Sequence, residues 1–276
     1  RPRRALLFSS VGRQCLAVVR DHWLCSPSEV DFDVVLVYYK EEDSDAYQEL
    51  LKFSKLHSFV KVIPNEGLKW PNLCRWVEMQ GGPEAVVARY DYIWVVDDDV
   101  RLRTEGINRL FSVLRSNDHI QFASPSFDAA SVGVWRYFDK HDPKYHLRYT
   151  DFVECAATVM NSSMLLDAKF TELLAAARSG CFLDFCFHPV SGARNNAVAI
   201  IDAVQANHPA RDKASSSEME DVFPWKDHKG DMVFFERIKV PTDWWWYRKP
   251  RLISGLLVGD ELPGAKKDEE WEIVEP

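Results

Sequence analysis

The sequence predicts an α/β domain built on a doubly wound, mostly parallel β-sheet. Short apolar runs alternate with segments of helical character through the first half of the chain, an order that is typical of this class. One run, at 34–39, is apolar without alternation, as expected of a strand that is buried on both faces. Another, at 92–96, ends in Asp97-Asp98-Asp99, and ligands of such sheets gather at the carboxyl ends of the strands.

The elements of the first half follow one another in a regular order. We predict strands at 5–10, 34–39, 59–63, 92–96 and 120–123. We predict helices at 43–56, 68–80, 83–90 and 104–115. The first of these helices has the apolar spacing of an amphipathic helix, and Asp43 or Ser44 is its expected N-cap.

The second half is less regular. The segment 127–149 is polar and aromatic without a clear period, so we expect a long functional loop or an insertion there. The remaining segments are a strand-like run at 152–164, a helix at 165–178, an aromatic segment of undetermined type at 180–190 and a strand at 197–204. No repeat or linker divides the chain, which favours one domain with a decorated C-terminal half.

Composition and motif content argue against several classes of function. The 276 residues carry 34 Lys and Arg against 42 Asp and Glu, and this acid excess argues against a nucleic-acid partner. No apolar run approaches the roughly 18 residues of a membrane span. The sequence lacks the motifs of dinucleotide oxidoreductases, P-loop kinases, α/β-hydrolases and zincins, and its six cysteines lack zinc-site spacing.

The two ends of the chain carry expectations of their own. Because the first residues, Arg1–Arg4, lack an initiator methionine, we expect a processed or trimmed chain. If an N-terminal anchor preceded Arg1, the expected location is the Golgi lumen; otherwise it is the cytoplasm. The acidic stretch at about 264–276 is expected to be a tail.

The aspartate triplet is the clearest chemical signal in the sequence. Three consecutive carboxylates at the end of a buried strand repel one another and lose hydration, so they require compensation by a cation or by hydrogen bonds. Mg²⁺ and Mn²⁺ prefer carboxylate oxygens and keep coordination positions for substrate phosphates. The triplet therefore favours a divalent metal site, and the alternative is a polar loop whose acids cap the following helix.

Two classes of enzyme place an Asp-x-Asp motif after an apolar strand. In aspartyl-phosphate phosphatases the motif follows the first strand, and its first aspartate is the nucleophile. In GT-A glycosyltransferases it follows a later strand, and a metal ion there holds the diphosphate of a sugar donor. Three predicted strands precede the strand that ends at Asp97, and the continuation Val100-Arg101-Leu102 differs from that of the phosphatases. The position favours a glycosyltransferase; a phosphatase with Asp97 as nucleophile and a non-catalytic carbohydrate-binding protein stay open.

The run 92–99, which reads Tyr-Ile-Trp-Val-Val-Asp-Asp-Asp, resembles the metal-binding strand of a plant-rich family with a GT-A-like fold that is catalogued as a domain of unknown function. The likeness to this family spans about residues 5 to 208. Segments 182–185 and 199–203 and the later His208 are similar to its Gly-Leu-Asp segment, its Val-Val-Asp strand and its closing histidine. Further matches are Lys69-Trp70, Arg75 and Phe152-Val153-Glu154, and the chain departs from the family at Cys181-Phe182, where the family has Trp-Gly.

This resemblance implies a metal-dependent glycosyltransferase that moves a sugar from a UDP- or GDP-sugar donor to a glycan hydroxyl. Asp97 and Asp99 would bind Mn²⁺ or Mg²⁺, and His208 would complete the ligand shell; the alternative for His208 is a surface-loop histidine. Asp184 would be the catalytic base of an inverting reaction, or else a helix cap or a neutralised buried acid. Retention and inversion of the anomeric configuration both stay open.

The resemblance also implies how the chain is divided and which residues meet each substrate. A single GT-A-like domain would span 1–276, with a nucleotide-sugar-binding half at about 5–125 and an acceptor half at about 126–250. The expected donor contacts are Ser9, Ser10, Gly12, Lys69, Asn72, Arg75, Asp97 and Asp98. The expected acceptor contacts are Glu154 and Trp135, whose ring would stack on a sugar or, alternatively, pack in the core.

Overall fold

One nine-stranded β-sheet with helices on both faces organises the chain. The computed structural model describes residues 5–42, 44–132, 139–177, 183–210 and 251–258. The strands are β1 (Ala5–Val11), β2 (Asp33–Tyr38), β3 (Val60–Pro64), β4 (Tyr92–Val96), β5 (Phe122–Phe127), β6 (Tyr145–Thr150), β7 (Ala157–Asn161), β8 (Val198–Ala206) and β9 (Leu252–Leu257). The α-helices are α1 (Leu16–Val18), α2 (Asp45–Leu56), α3 (Lys69–Met79), α4 (Pro83–Val87), α5 (Thr104–Arg115), α6 (Ala168–Ala176) and α7 (Leu183–Val190).

Side-chain caps fix the starts of two helices. The hydroxyl of Ser44 accepts a hydrogen bond from the amide of Tyr47 and so begins α2. The carboxylate of Asp167 accepts from the amides of Lys169 and Phe170 at the start of α6. Among the described residues, no helix has the length and apolarity needed to cross a membrane.

The strand order is β3-β2-β1-β4-β7-β5-β8-β6-β9. Strands β3, β2, β1 and β4 are mutually parallel, and β5 is parallel to β8. Strand β7 runs antiparallel between β4 and β5, and β6 and β9 add antiparallel pairs at the far edge. The prediction of an α/β fold with a sheet that is mostly parallel in its core is confirmed.

Two apolar layers cover the two faces of the sheet. In β1, Leu7 faces the layer that contains α2 and α5, whereas Leu6 and Phe8 face the layer that contains α3, α6 and α7. In β4, Trp94 and Val95 divide between the layers in the same way. Because both faces are covered, these strands are apolar without alternation, which is the pattern that the sequence shows.

The structure differs from the sequence prediction mainly in the second half. The run 152–164 contains only the short strand β7 followed by a 3₁₀ turn, Ser162–Leu166, and the segment 180–190 contains α7. The segment predicted as a loop at 127–149 ends in β6, and β9 and the helical stretch after β1 were not predicted. Strand β6 lacks an apolar pattern because its buried positions include Arg148, whose charge is paired within the fold.

The topology brings the carboxyl ends of β1, β4, β5 and β8 to one edge of the sheet. Strands β1 and β4 are parallel, and two antiparallel steps through β7 give β5 and its parallel neighbour β8 the same direction as β4. The segments that follow β4 and β8 pair with each other, since the backbone groups of Arg101 and Asn207 exchange hydrogen bonds of 2.7 and 2.9 Å. The residues that follow these strands therefore meet.

Candidate active site

Asp97, Asp99 and His208 meet at this edge of the sheet. Their potential ligand atoms all lie within 4.8 Å of one another, and Nε2 of His208 is 3.4 Å from Oδ1 of Asp99. The backbone holds the group in place: the amide of Asp97 donates to the carbonyl of Ala156 at 2.8 Å, and the amide of His208 donates to Oγ of Ser131 at 2.8 Å. Residues more than a hundred positions apart in sequence thus form one group of oxygen and imidazole ligands.

The electrostatic surroundings favour a cation at this group. Burial lowers the pKa of His208, but the contact of its ring with Asp99 and the charges of Asp99, Asp97 and Glu154 outweigh burial and raise that pKa overall. The imidazole therefore carries a proton more readily than usual. A metal ion that bound here would take the place of that proton as the positive charge.

Lys69 is the ammonium group in contact with the triplet. Its Nζ lies 2.7 Å from Oδ1 of Asp97 and donates to the carbonyl of Cys155 at 2.5 Å. The side chain is only 10% exposed and belongs to the first turn of α3. Lys69 therefore links this helix to the acidic end of β4.

Residues at the end of β1 that were expected to contact a nucleotide are hydrogen-bonded to the triplet, to β4 and to α3. The amide of Gly12 donates to Oδ2 of Asp98 at 2.8 Å, which ties the turn after β1 to the turn after β4. Oγ of Ser10 accepts from Nδ2 of Asn72 at 2.9 Å. Ser9 is fully buried and donates to the carbonyl of Val96 at 2.7 Å, so its hydroxyl serves the contact between β1 and β4.

Arg75 lies away from this group. Its side chain is exposed, and its guanidinium donates to the carbonyl of Glu66 at 3.4 Å. Lys69 and Asn72 are buried on the same helix, so the structure separates two inward residues of α3 from one outward residue. Trp135, the expected aromatic contact of an acceptor, lies outside the described residues.

Buried acids form a second group beside the first. Carboxylate oxygens of Glu154 and Asp184 lie within 4.8 Å of each other and of Sγ of Cys155. Asp184 is in the first turn of α7, and both acids are more than nine-tenths buried. Burial raises the pKa of both carboxyls above the ordinary range, and the charge of Asp184 raises that of Glu154 further.

Asp139 is a buried acid that the sequence analysis missed. It is 3% exposed, burial raises its pKa to about 6, and the charges of Lys140, His208 and Arg148 partly oppose that rise. Its charge in turn raises the pKa of Glu154, so it belongs to the same electrostatic neighbourhood. The segment 127–149 was predicted to be functional, but only its aromatic residues were considered there, and an isolated aspartate in a polar segment gives no signal.

The arrangement has two sides with different chemistry. One side offers oxygen and imidazole ligands together with an ammonium group and a backbone amide, which suits a metal ion and an anion. The other side offers buried carboxyls with raised pKa values, which suits proton transfer from a hydroxyl group. Two such sides next to each other are what transfer of a group from an anionic leaving group to a hydroxyl requires.

Comparison with known proteins shows a shared fold. No model of a known protein family matches the sequence, and no curated protein matches it either. The mannosyltransferase PcManGT from Pyrobaculum calidifontis, solved in complex with GDP-Man and Mn²⁺, superposes with a TM-score of 0.50 at 11% identity over 88% of this chain and 67% of that chain. TarS 1-349 from S. aureus gives a TM-score of 0.49 at 12% identity over 89% of this chain and 73% of that chain. The chain thus shares the fold of a glycosyltransferase.

Proposed function

We propose that this protein is a metal-dependent glycosyltransferase that transfers a sugar from a nucleotide-sugar donor to a hydroxyl group of a glycan. The observation that carries the proposal is the meeting of Asp97, Asp99 and His208 at the carboxyl edge of the sheet, within 4.8 Å of one another. In open α/β sheets this edge is where ligands bind. The fold shared with a mannosyltransferase agrees with this function.

The donor set fits a divalent cation. Two carboxylates and one imidazole are ligands that Mn²⁺ accepts readily and that Mg²⁺ accepts in part, and Asp97, Asp99 and His208 would hold the ion. When bound, such an ion neutralises the diphosphate of the donor and stabilises it as a leaving group.

The chain's own residues bind and orient the donor. The amide of Gly12 donates to Asp98, and the side chains of Ser10 and Asn72 bond to each other between β1 and the first turn of α3. A nucleotide bound there would exchange these hydrogen bonds for its own. The ammonium of Lys69, 2.7 Å from Asp97, adds positive charge beside the diphosphate. Of the expected donor contacts, Arg75 is the one whose side chain points to solvent and needs a rearrangement to take part.

Asp184 is the proposed base. Burial raises the pKa of its carboxyl, so the carboxylate accepts a proton from an acceptor hydroxyl more readily than an exposed aspartate does. Glu154 and Asp139 lie in the same neighbourhood and accept hydrogen bonds from further hydroxyls of the acceptor. A base that acts directly on the acceptor implies inversion of the anomeric configuration.

The first test is nucleotide binding to the full chain. We expect UDP, GDP or their sugars to raise the unfolding temperature in Mn²⁺ and not in EDTA, because a ligand that binds only the native state stabilises it. Asp99→Ala should abolish this shift, and the exposed Asp31→Ala, whose partner is Arg115, should retain it. A shift that is equal in EDTA, or in Asp99→Ala, would contradict the metal site.

The second test separates binding from catalysis. Asp184→Asn should bind nucleotide and Mn²⁺ as the wild-type protein does and lose transfer, since the amide cannot take up the proton. Full transfer activity in this variant would contradict the base. Trapping by beryllofluoride without nucleotide binding would instead favour the phosphatase with Asp97 as nucleophile, and glycan binding without turnover of any nucleotide sugar would favour the non-catalytic protein.

A further inference from the structure

The second group of buried side chains contains a thiol as well as two carboxylates. One oxygen of Glu154, one oxygen of Asp184 and Sγ of Cys155 all lie within 4.8 Å of one another. Glu154 and Cys155 precede β7, and Asp184 is in the first turn of α7, so the group forms only in the folded chain. None of the three residues belongs to the group of Asp97, Asp99 and His208.

The two carboxylates of this group are incompletely satisfied. Oε2 of Glu154 and Oδ1 of Asp184 are buried and accept no hydrogen bond from the described residues. The residues are 8% and 7% exposed, so water compensates them poorly. Since buried acceptors without partners are rare and unfavourable in folded proteins, these oxygens indicate a site for a ligand that supplies positive charge or hydrogen-bond donors.

The thiol determines which cation suits the group. Thiolate sulfur is a soft ligand that favours Zn²⁺ and similar ions, whereas Mg²⁺ and Mn²⁺ favour oxygen. Ligands of a tetrahedral Zn²⁺ lie about 2.0–2.3 Å from the ion and hence roughly 3.5 Å apart. The three atoms here lie within 4.8 Å of one another, a limit that includes this spacing. Burial and the nearby acids raise the pKa of the Cys155 thiol, so the thiol is protonated in the metal-free protein. An ion that bound to this sulfur would displace the thiol proton.

We propose that Glu154, Cys155 and Asp184 form a second cation site, selective for Zn²⁺ or another thiophilic divalent ion and distinct from the site of Asp97, Asp99 and His208. An ion at this site engages a carboxylate oxygen of Asp184. If the proposed function holds, that ion inhibits transfer by occupying the base and leaves nucleotide binding intact. The binding of the ion itself does not depend on the proposed function.

Cd²⁺ is the probe that tests this site, because its bond to a thiolate gives a charge-transfer band in the ultraviolet. The full chain is titrated with CdCl₂ in excess Mg²⁺. We expect Cys155→Ser to lose the part of the band intensity that comes from one Cd²⁺–thiolate bond. Cys74→Ser, which changes a half-buried thiol on α3, should keep the full wild-type intensity. Displacement of Cd²⁺ by Zn²⁺ supports the site, and an undiminished band in Cys155→Ser overturns the proposal.

A second variant keeps the proposal testable if Cys155→Ser does not fold. Asp184→Asn should raise the Cd²⁺ concentration at half-maximal band by at least about tenfold, which corresponds to about 1.4 kcal/mol. Asp31→Asn, an exposed acid, should leave that concentration unchanged. An unchanged concentration in Asp184→Asn overturns the site. If the wild-type protein shows no Mn²⁺-dependent nucleotide binding, that result contradicts the proposed function alone, because the Cd²⁺ band reports only the thiol site.

Discussion

Nζ of Lys69 lies 2.7 Å from Oδ1 of Asp97, and the same ammonium group donates to the carbonyl of Cys155 at 2.5 Å. One side chain from α3 therefore contacts both the end of β4, which carries Asp97 and Asp99, and the segment before β7, which carries Glu154. The side chain of Lys69 is 10% exposed and that of Asp97 is 25% exposed, so solvent screens this ion pair only in part.

We expect Lys69→Met to destabilise the protein by about 1–3 kcal/mol without metal, because Asp97 loses its counter-charge in a partly buried place. In saturating Mn²⁺ the loss should shrink, since the ion then neutralises the carboxylate. Thermal unfolding with and without Mn²⁺ measures both values. The control is Lys52→Met, which removes an exposed pair with Glu49 and should change little in either condition. Equal destabilisation with and without Mn²⁺ would contradict the view that Asp97 pairs with Lys69 and also binds the ion.

The ionisation of His208 should depend on Asp99. Burial alone lowers the pKa of this imidazole, and the nearby carboxylate of Asp99 is the largest of the contributions that raise it. We therefore expect Asp99→Asn to lower the pKa of His208 relative to the wild-type protein, as measured by NMR titration of the metal-free chain. Asp98→Asn is the matched control, because the carboxylate of Asp98 accepts from the amide of Gly12. The same pKa in Asp99→Asn and the wild-type protein would show that the two side chains do not interact in solution.

The buried carboxyl of Asp184 should make stability depend on pH. Its pKa in the folded state is raised, so the folded protein holds a proton that the unfolded chain has released, and stability falls as pH rises from about 4 to the raised pKa. Asp184→Asn carries no such charge. We expect its unfolding temperature to match the wild-type value near pH 4, to exceed it increasingly up to about pH 7, and to exceed it by a constant amount at higher pH. Parallel stability curves for the two proteins would contradict a raised pKa.

Arg148 and Asp202 form a buried ion pair that the sequence does not reveal. The guanidinium donates to both carboxylate oxygens of Asp202 at 2.7 and 2.9 Å and also to the carbonyl of Lys140, next to Asp139. We expect Arg148→Met to cost about 3–5 kcal/mol, because it leaves a buried carboxylate unpaired. Adding Asp202→Asn should restore part of this loss, and chemical denaturation measures both.

The control for that pair is an ion pair with both partners exposed. Arg20 pairs with Asp21 at 2.6 Å, and the two side chains are 63% and 49% exposed, so Arg20→Met should change the free energy of unfolding little. A similar cost for Arg148→Met and Arg20→Met would show that burial does not set the strength of these pairs.

Local pattern predicted the first half of the fold well. The run 92–96 is β4 as predicted, and Ser44 caps α2 as one of its two expected caps, because uninterrupted apolar runs and side-chain caps are visible in neighbouring residues. The second half was predicted less well. In β6, Tyr145 and His146 are half-buried and Arg148 is buried, so the strand has no alternation that a reader of the sequence could recognise.

Local patterns in neighbouring residues were enough to predict the class of the sheet and the position of the acidic triplet at the end of a buried strand. Only the tertiary structure placed His208 at 3.4 Å from Asp99 and put Asp184 beside Glu154 and Cys155. Hydrophobic periodicity depends on residues that are close together in the chain, so it is visible in the sequence. The meeting of strand ends depends on sheet order and direction, which long-range pairing decides.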